Sequence, residues 1–163
     1  MIILSMKTTI FLGAMLSLLV CLMFTGCSNS ETNSTSRGLT DFAHIEEEYL
    51  ATIDSLNWPD GITLPDKLED EDTGASFQVG YGETRASYLW EYSWMKEWLD
   101  TYNTDPERAE KALEELEKAF DMPYMGIDRC DDATRNYLRE NIDKAKLGDP
   151  SGFTESIRAN YAN

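Results

Sequence analysis

Three tryptophans spaced by four residues place the strongest constraint on how this chain folds. Trp90, Trp94 and Trp98 lie one helical turn apart, so their rings fall on one flank of a helix predicted over residues 83–102. Further aromatic and apolar residues widen that flank to an arc of roughly 200°: Tyr88, Tyr92, Met95, Leu99 and Tyr102. So wide an arc favours a central helix that contacts neighbours on two sides.

Four other stretches carry helical periodicity. Helices are predicted over residues 40–56, 105–120, 131–147 and 151–161. Capping residues mark three of the starts, namely Thr40 or Asp41, the segment Thr104-Asp105-Pro106-Glu107, and Asp131 or Asp132. The predicted fold class is therefore mainly α, a small bundle of four to five helices occupying residues 39–163.

One long irregular connection, residues 57–82, separates the first two predicted helices. Within it, residues 62–64 and residues 77–81 each alternate apolar and polar side chains with period two. A short hairpin between these two segments is therefore predicted. Connections of this length usually have a function or a packing role.

The N-terminus has the organisation of a secretory signal. Lys7 precedes an almost entirely apolar run over residues 10–24, and small residues follow. The run is shorter than the about 20 residues that span a bilayer comfortably. Residues 1–26 are therefore predicted to be a signal peptide that is removed.

The end of this run, Phe24-Thr25-Gly26-Cys27, resembles the lipobox of bacterial lipoproteins, with Phe24 in place of the usual leucine. The resemblance implies cleavage before Cys27 and a diacylglycerol on its thiol. Residues 28–38 are rich in Ser, Thr and Asn, which is typical of a flexible tether. The expected location is extracytoplasmic, with the domain held at a membrane by the lipid and facing the cell surface or the periplasm.

The charge balance narrows the choice of partners. The chain has 30 acidic and 14 basic residues, for a net charge of −16. An acidic surface repels phosphate backbones and anionic lipids, so nucleic-acid binding is excluded and membrane contact is assigned to the anchor. An acidic composition of this kind usually keeps a protein soluble. A more specific interpretation is that the acidic surface binds cations or a basic partner.

The tryptophans are the first candidate binding residues. If exposed, Trp90, Trp94 and Trp98, together with Trp58 in the connection, could stack on sugar rings or on a partner's aromatic groups. The alternative is that they form the core, which is the usual place for large aromatic side chains at helical spacing.

Glu91 is the second candidate because it projects into the middle of the aromatic arc. A carboxylate in such surroundings can have a raised pKa and act as an acid or a base. The alternatives are an ion pair with Arg135 or Arg139, or simple exposure. Glycoside hydrolysis needs a second carboxylate at a defined distance, and in so acidic a chain the sequence does not select one.

The sequence contains no motif that indicates a metal or cofactor site. His44 is the single histidine. Cys21 is assigned to the signal peptide and Cys27 to the lipid, so Cys130 remains as a free thiol without a predicted reactive role. The acidic run 66–72 fails the spacing of a calcium loop. Gly80-Tyr81-Gly82 is interpreted as a turn and helix cap, because Arg85 stands where a dinucleotide fingerprint needs its third glycine.

These observations predict a membrane-anchored lipoprotein whose domain is a non-enzymatic binding or interaction module without metal or cofactor. Its expected partner is an envelope protein or a glycan. The alternative is a small envelope enzyme that acts on glycans with Glu91 in an aromatic cleft.

Overall fold

The computed structural model describes residues 38–69 and 71–161. The predictions of a signal peptide and of lipid on Cys27 lie outside the described residues, as does the predicted tether except for Gly38. The predicted mainly α class is confirmed, since the described residues form five α-helices and one two-stranded sheet. These elements are, in chain order, β1 (Leu39–Thr40), α1 (Phe42–Ser55), β2 (Phe77–Gln78), α2 (Tyr81–Thr101), α3 (Pro106–Glu117), α4 (Asp132–Lys146) and α5 (Ser151–Asn160). Two short 3-10 helices, Lys118–Asp121 and Pro123–Met125, connect α3 to α4.

Helix α2 is the central element, as the width of its apolar arc predicts. It packs against α1 and α3, and also touches α5 and the second 3-10 helix. Its tryptophans Trp90, Trp94 and Trp98 are 1%, 1% and 2% exposed. They form one core cluster with apolar residues of α3, α4 and α5. No helix in the described part of the chain is both long and apolar enough to cross a bilayer.

Local capping interactions begin three of the helices where the sequence predicts. The carboxylates of Asp41, Asp105 and Asp131 accept hydrogen bonds from backbone N–H groups three residues ahead, at 3.1, 3.2 and 2.7 Å. Each bond satisfies a donor that the first helical turn leaves without a partner. These interactions lie within one turn of chain, which is why the sequence locates the helix starts closely.

The predicted hairpin between residues 62–64 and 77–81 is wrong. The partner of Phe77–Gln78 is instead Leu39–Thr40, in an antiparallel pair that joins Leu39 to Gln78 and Thr40 to Phe77. The pair forms because the starts of α1 and α2 lie side by side, and the ring of Phe42 packs edge-on against that of Phe77 at 6.5 Å. Residues 62–64 are too few for their alternation to select a strand partner.

Glu48 joins α1 to the start of α2. Its carboxylate accepts hydrogen bonds from the backbone N–H of Gly80 at 2.8 and 3.0 Å and from that of Gly82 at 3.2 Å. Gly80 has a φ of 88°, a conformation that favours glycine. The segment is therefore a turn and cap, as predicted, but its capping group comes from another helix.

Replacing Glu48 with glutamine is expected to lower the free energy of unfolding by about 1–2 kcal/mol. The substitution removes a negative charge from the positive end of α2 and weakens charge-assisted hydrogen bonds. Urea unfolding of the variant and of the wild type measures the difference. Glu47→Gln, at the exposed neighbouring position, is the control, and an equal loss in both variants would contradict this role for Glu48.

The connection before α2 is anchored by tryptophan N–H groups. The backbone carbonyl of Asn57 accepts hydrogen bonds from Nε1 of both Trp90 and Trp94, at 2.8 and 3.1 Å. Nε1 of Trp58 donates to the carbonyl of Ile53 at 2.9 Å. The connection is thus held against α2 from its first residue, which satisfies the polar edge of each buried indole.

Candidate functional site

A cleft of about 700 Å³ opens between the helices on one side of α2. Its walls come from α1, α2, α4, α5, the second 3-10 helix and the connection that precedes β2. The volume falls within the range of about 300–1,000 Å³ that is usual for small-molecule sites. This cleft, called the Glu91 cleft below, is the candidate functional site.

Glu91 lies in the wall of the cleft and is almost enclosed, with 8% of its surface exposed. The hydroxyl of Tyr124 donates a hydrogen bond to Oε2 of Glu91 at 2.8 Å. Burial raises the pKa of Glu91 from 4.5 to about 7, and the hydrogen bond from Tyr124 offsets part of this rise. The carboxyl group therefore changes its charge near neutral pH.

Three tyrosines lie close to this carboxyl group, namely Tyr88, Tyr124 and Tyr161. The rings of Tyr88 and Tyr124 meet edge to face, with centroids 5.6 Å apart and an interplanar angle of 82°. The rings of Tyr92 and Tyr161 lie 4.8 Å apart, and the hydroxyl of Tyr161 donates to the carbonyl of Tyr88 at 3.2 Å. Burial is the main reason that the pKa values of Tyr88, Tyr124 and Tyr161 are raised, so these phenols stay neutral.

The charged side chains across the cleft are engaged in pairs. Nζ of Lys67 lies 2.8 Å from Oε1 of Glu69. Nε of Arg85 lies 3.5 Å from Oε1 of Glu71, which also accepts a hydrogen bond from the hydroxyl of Tyr81 at 2.7 Å. Both cations are thus held by acids of the connection, away from Glu91.

The structure separates the candidate residues that the sequence singled out. Glu91 lines the cleft, whereas Trp90, Trp94 and Trp98 are in the core and Trp58 is half-buried against it. The tryptophans therefore do not line the cleft, and the three on α2 have the core role that was the alternative to a binding role.

The two arginines considered as partners of Glu91 lie elsewhere. Arg135 donates to the backbone carbonyls of Met125, at 3.3 Å, and of Cys130, and pairs with Asp132. The guanidinium of Arg139 lies over the ring of Phe120, 4.5 Å from its centroid. Tyr124 takes the position next to Glu91 that an arginine would hold in the ion-pair alternative.

Sequence reasoning missed most of the residues around Glu91. Tyr124 follows Pro123 in a short 3-10 helix, and Tyr161 follows α5, so neither belongs to a periodic pattern that points at Glu91. Tyr88 is three residues before Glu91 on the same helix, and this spacing was the available signal. The remaining contacts are made across 33 or more residues of chain.

Cys130 and the acidic side chains do not build a second reactive centre in the described residues. The Cys130 thiol is half-buried, lies 3.5 Å from Sδ of Met125, and has its pKa raised mainly by burial. A raised pKa disfavours the thiolate that a nucleophile needs. Within residues 38–69 and 71–161, no three His, Cys, Asp or Glu side chains group closely enough to hold a metal ion.

Comparison with protein-family models, with curated protein sequences and with solved structures gave no match to this chain.

Proposed function

We propose that the protein is an extracytoplasmic lipoprotein, anchored through Cys27, whose helical domain binds a small molecule in the Glu91 cleft without transforming it. The observation that carries the binding role is the cleft itself. It has the volume of a ligand site, aromatic and apolar side chains make up more than half of its lining, and it contains two buried polar groups, Glu91 and Ser156. A few polar groups set into an apolar concave surface are the usual composition of ligand sites.

The anchor is supported by the apolar run before Cys27 and by the lipobox resemblance of residues 24–27. Metabolic labelling with radioactive palmitate in a bacterial host is expected to label the wild-type chain and to place it in the membrane fraction. Cys27→Ala is expected to lose both properties, because the thiol that carries the lipid is gone. Cys130→Ala is the matched control and is expected to keep the label. Label retained by Cys27→Ala would contradict the anchor.

Ligand binding is tested with a panel of probes that differ in charge: choline, its uncharged isostere 3,3-dimethyl-1-butanol, and N-acetylglucosamine. Saturation-transfer difference NMR on the full-length chain in a non-ionic detergent detects binding of each probe. At least one is expected to bind, and Ser156→Leu is expected to reduce that binding at least ten-fold, because Ser156 is buried and lines the cleft. Ser151→Leu, exposed on the same helix, is the control. No binding, or binding that survives Ser156→Leu, would contradict the cleft as the site.

An enzyme of envelope glycans is the second candidate, and the raised pKa of Glu91 favours it. A carboxyl group with a pKa of about 7 can deliver a proton at neutral pH. Glu69 is a second carboxylate in the cleft wall, paired with Lys67. Hydrolysis of peptidoglycan fragments by the full-length chain tests this function, and Glu91→Gln should abolish it. Hydrolysis that survives Glu91→Gln would eliminate the enzyme.

A further inference from the structure

Glu91 and Glu115 are the buried carboxylates of the described residues, and they differ in their partners. Glu115 pairs with Lys118 at 2.6 Å. In the described part of the chain, no Lys, Arg or His side chain lies within salt-bridge distance of Glu91. A buried carboxylate without a counter-charge is costly, so it either takes up a proton or pairs with a positive group that comes to it.

One oxygen of this carboxylate faces the cleft. Oε2 accepts from Tyr124, whereas Oε1 accepts no hydrogen bond from the described residues. Within those residues, Nδ2 of Asn141 is the polar side-chain atom that is fully enclosed and has no hydrogen-bond partner. Oε1 of Glu91 also has no partner, but it is not fully enclosed. Oε1 therefore keeps contact with the open space of the cleft, where a ligand can reach it.

The rings around Glu91 suit a positive charge. Aromatic rings attract cations through their negative faces, and a cage of such rings is a general way to recognise ammonium groups. Tyr88, Tyr124 and Tyr161 lie close enough to Glu91 for its charge to raise their pKa values. Of these three, Tyr88 and Tyr161 line the cleft together with Glu91, so a cation seated here would meet a carboxylate and two phenol rings.

The chemistry favours an organic cation over a metal ion. Calcium needs six to eight oxygen ligands and magnesium keeps most of its waters, whereas the Glu91 cleft is lined by two carboxylates, of which Glu69 is paired with Lys67. The net charge of −16 adds a long-range attraction for positive ligands.

We propose that the Glu91 cleft binds an organic cation, with its ammonium group seated against Oε1 of Glu91 and beside the rings of Tyr88 and Tyr161. This inference rests on the proposed ligand-binding function and names its ligand class. The remainder of the ligand occupies the part of the cleft lined by Leu89 and Leu138.

Binding of such a ligand depends on the ionisation of Glu91. A quaternary ammonium keeps its charge at every pH, so its affinity follows the ionised fraction of Glu91, which falls about ten-fold from pH 8 to pH 6 when the pKa is about 7. The titratable and charged groups that surround Glu91 or line its cleft are Tyr88, Tyr92, Tyr124, Tyr137, Tyr161, Cys130, Lys67, Glu69 and Arg85. The raised pKa values of Tyr88, Tyr124, Tyr161 and Cys130 keep those groups neutral over this range.

Isothermal titration calorimetry on the full-length chain in a non-ionic detergent tests the inference with choline and with 3,3-dimethyl-1-butanol. Choline is expected to bind at least ten-fold more tightly than its uncharged isostere at pH 8, and about ten-fold more weakly at pH 6 than at pH 8. Glu91→Gln is expected to remove both differences. Asp100→Asn, exposed on the same helix and outside the cleft, is expected to change neither.

A second variant separates the charge of Glu91 from a structural effect. Tyr124→Phe keeps the ring but removes the hydroxyl that stabilises the ionised carboxylate, so the midpoint of the pH dependence of choline binding is expected to move to higher pH. An unchanged midpoint would overturn the assignment to Glu91.

Other outcomes separate this inference from the function on which it rests. Equal affinity for choline and its isostere, or preference for N-acetylglucosamine, would overturn the organic cation while leaving a ligand-binding cleft. Absence of binding by every probe of the panel would overturn both.

Discussion

The free energy of unfolding of Glu91→Gln, taken relative to that of the wild type, is expected to increase by about 2–3 kcal/mol between pH 5 and pH 8. Burial raises the folded-state pKa of Glu91 to about 7, above the 4.5 of the exposed group. The folded state therefore holds the proton more tightly, and the stability that this gives is fully present below about pH 4.5 and is lost as the pH rises to about 7. Glutamine does not ionise and avoids this loss.

Urea unfolding of both proteins at pH 5, 6, 7 and 8 measures the effect as a difference between variant and wild type. The other carboxylates are shared by both chains and cancel in that difference. Asp100→Asn is the matched control, since the Asp100 side chain is 59% exposed and its pair with Lys96 lies at the surface. A difference between Glu91→Gln and wild type that stays constant over this range would show that Glu91 ionises in the folded protein as it does in water.

Gly82→Ala is expected to lower the free energy of unfolding by about 3 kcal/mol or more. A Cβ at this position would lie 1.8 Å from the carbonyl oxygen of Ile45 and 2.9 Å from the backbone nitrogen of Tyr49. Both are backbone atoms, so they cannot turn aside, and α1 must move away from α2. The loss of packing exceeds the about 1 kcal/mol that alanine gains over glycine inside a helix.

Thermal and urea unfolding measure this loss. Gly74→Ala is the control, because its Cβ would lie 3.4 Å from a side-chain oxygen of Asp72, which is ordinary contact. A Gly82→Ala protein as stable as Gly74→Ala would contradict the close approach of α1 to α2.

Helix α2 is an element that the sequence predicts, although the sequence does not predict what packs against it. The spacing of Trp90, Trp94 and Trp98 predicts a helix with a broad apolar face, and the structure shows that helix at the centre of the domain. The same spacing is compatible with an exposed aromatic row, because periodicity specifies a face but not its neighbour. Packing of α3, α4 and α5 against that face buries the tryptophans.

The surroundings of Glu91 in the cleft could not be predicted from the sequence. Glu91 is singled out by its place in an aromatic arc, yet the hydroxyl beside it belongs to Tyr124, and a further phenol comes from Tyr161. No rule of local spacing connects residues so far apart. The raised pKa likewise depends on how completely the folded chain excludes water from one carboxyl group.

The five helices of the described residues could be predicted from the sequence, because helices depend on interactions within one or two turns. The caps at Asp41, Asp105 and Asp131 are examples, as is the apolar face of α2. Three other features depend on tertiary packing: the pairing of Leu39–Thr40 with Phe77–Gln78, the capping of α2 by Glu48, and the position of Glu91 near tyrosines in the wall of an open cleft. Those contacts join distant segments, and they form because the burial of several apolar faces at once brings the segments together.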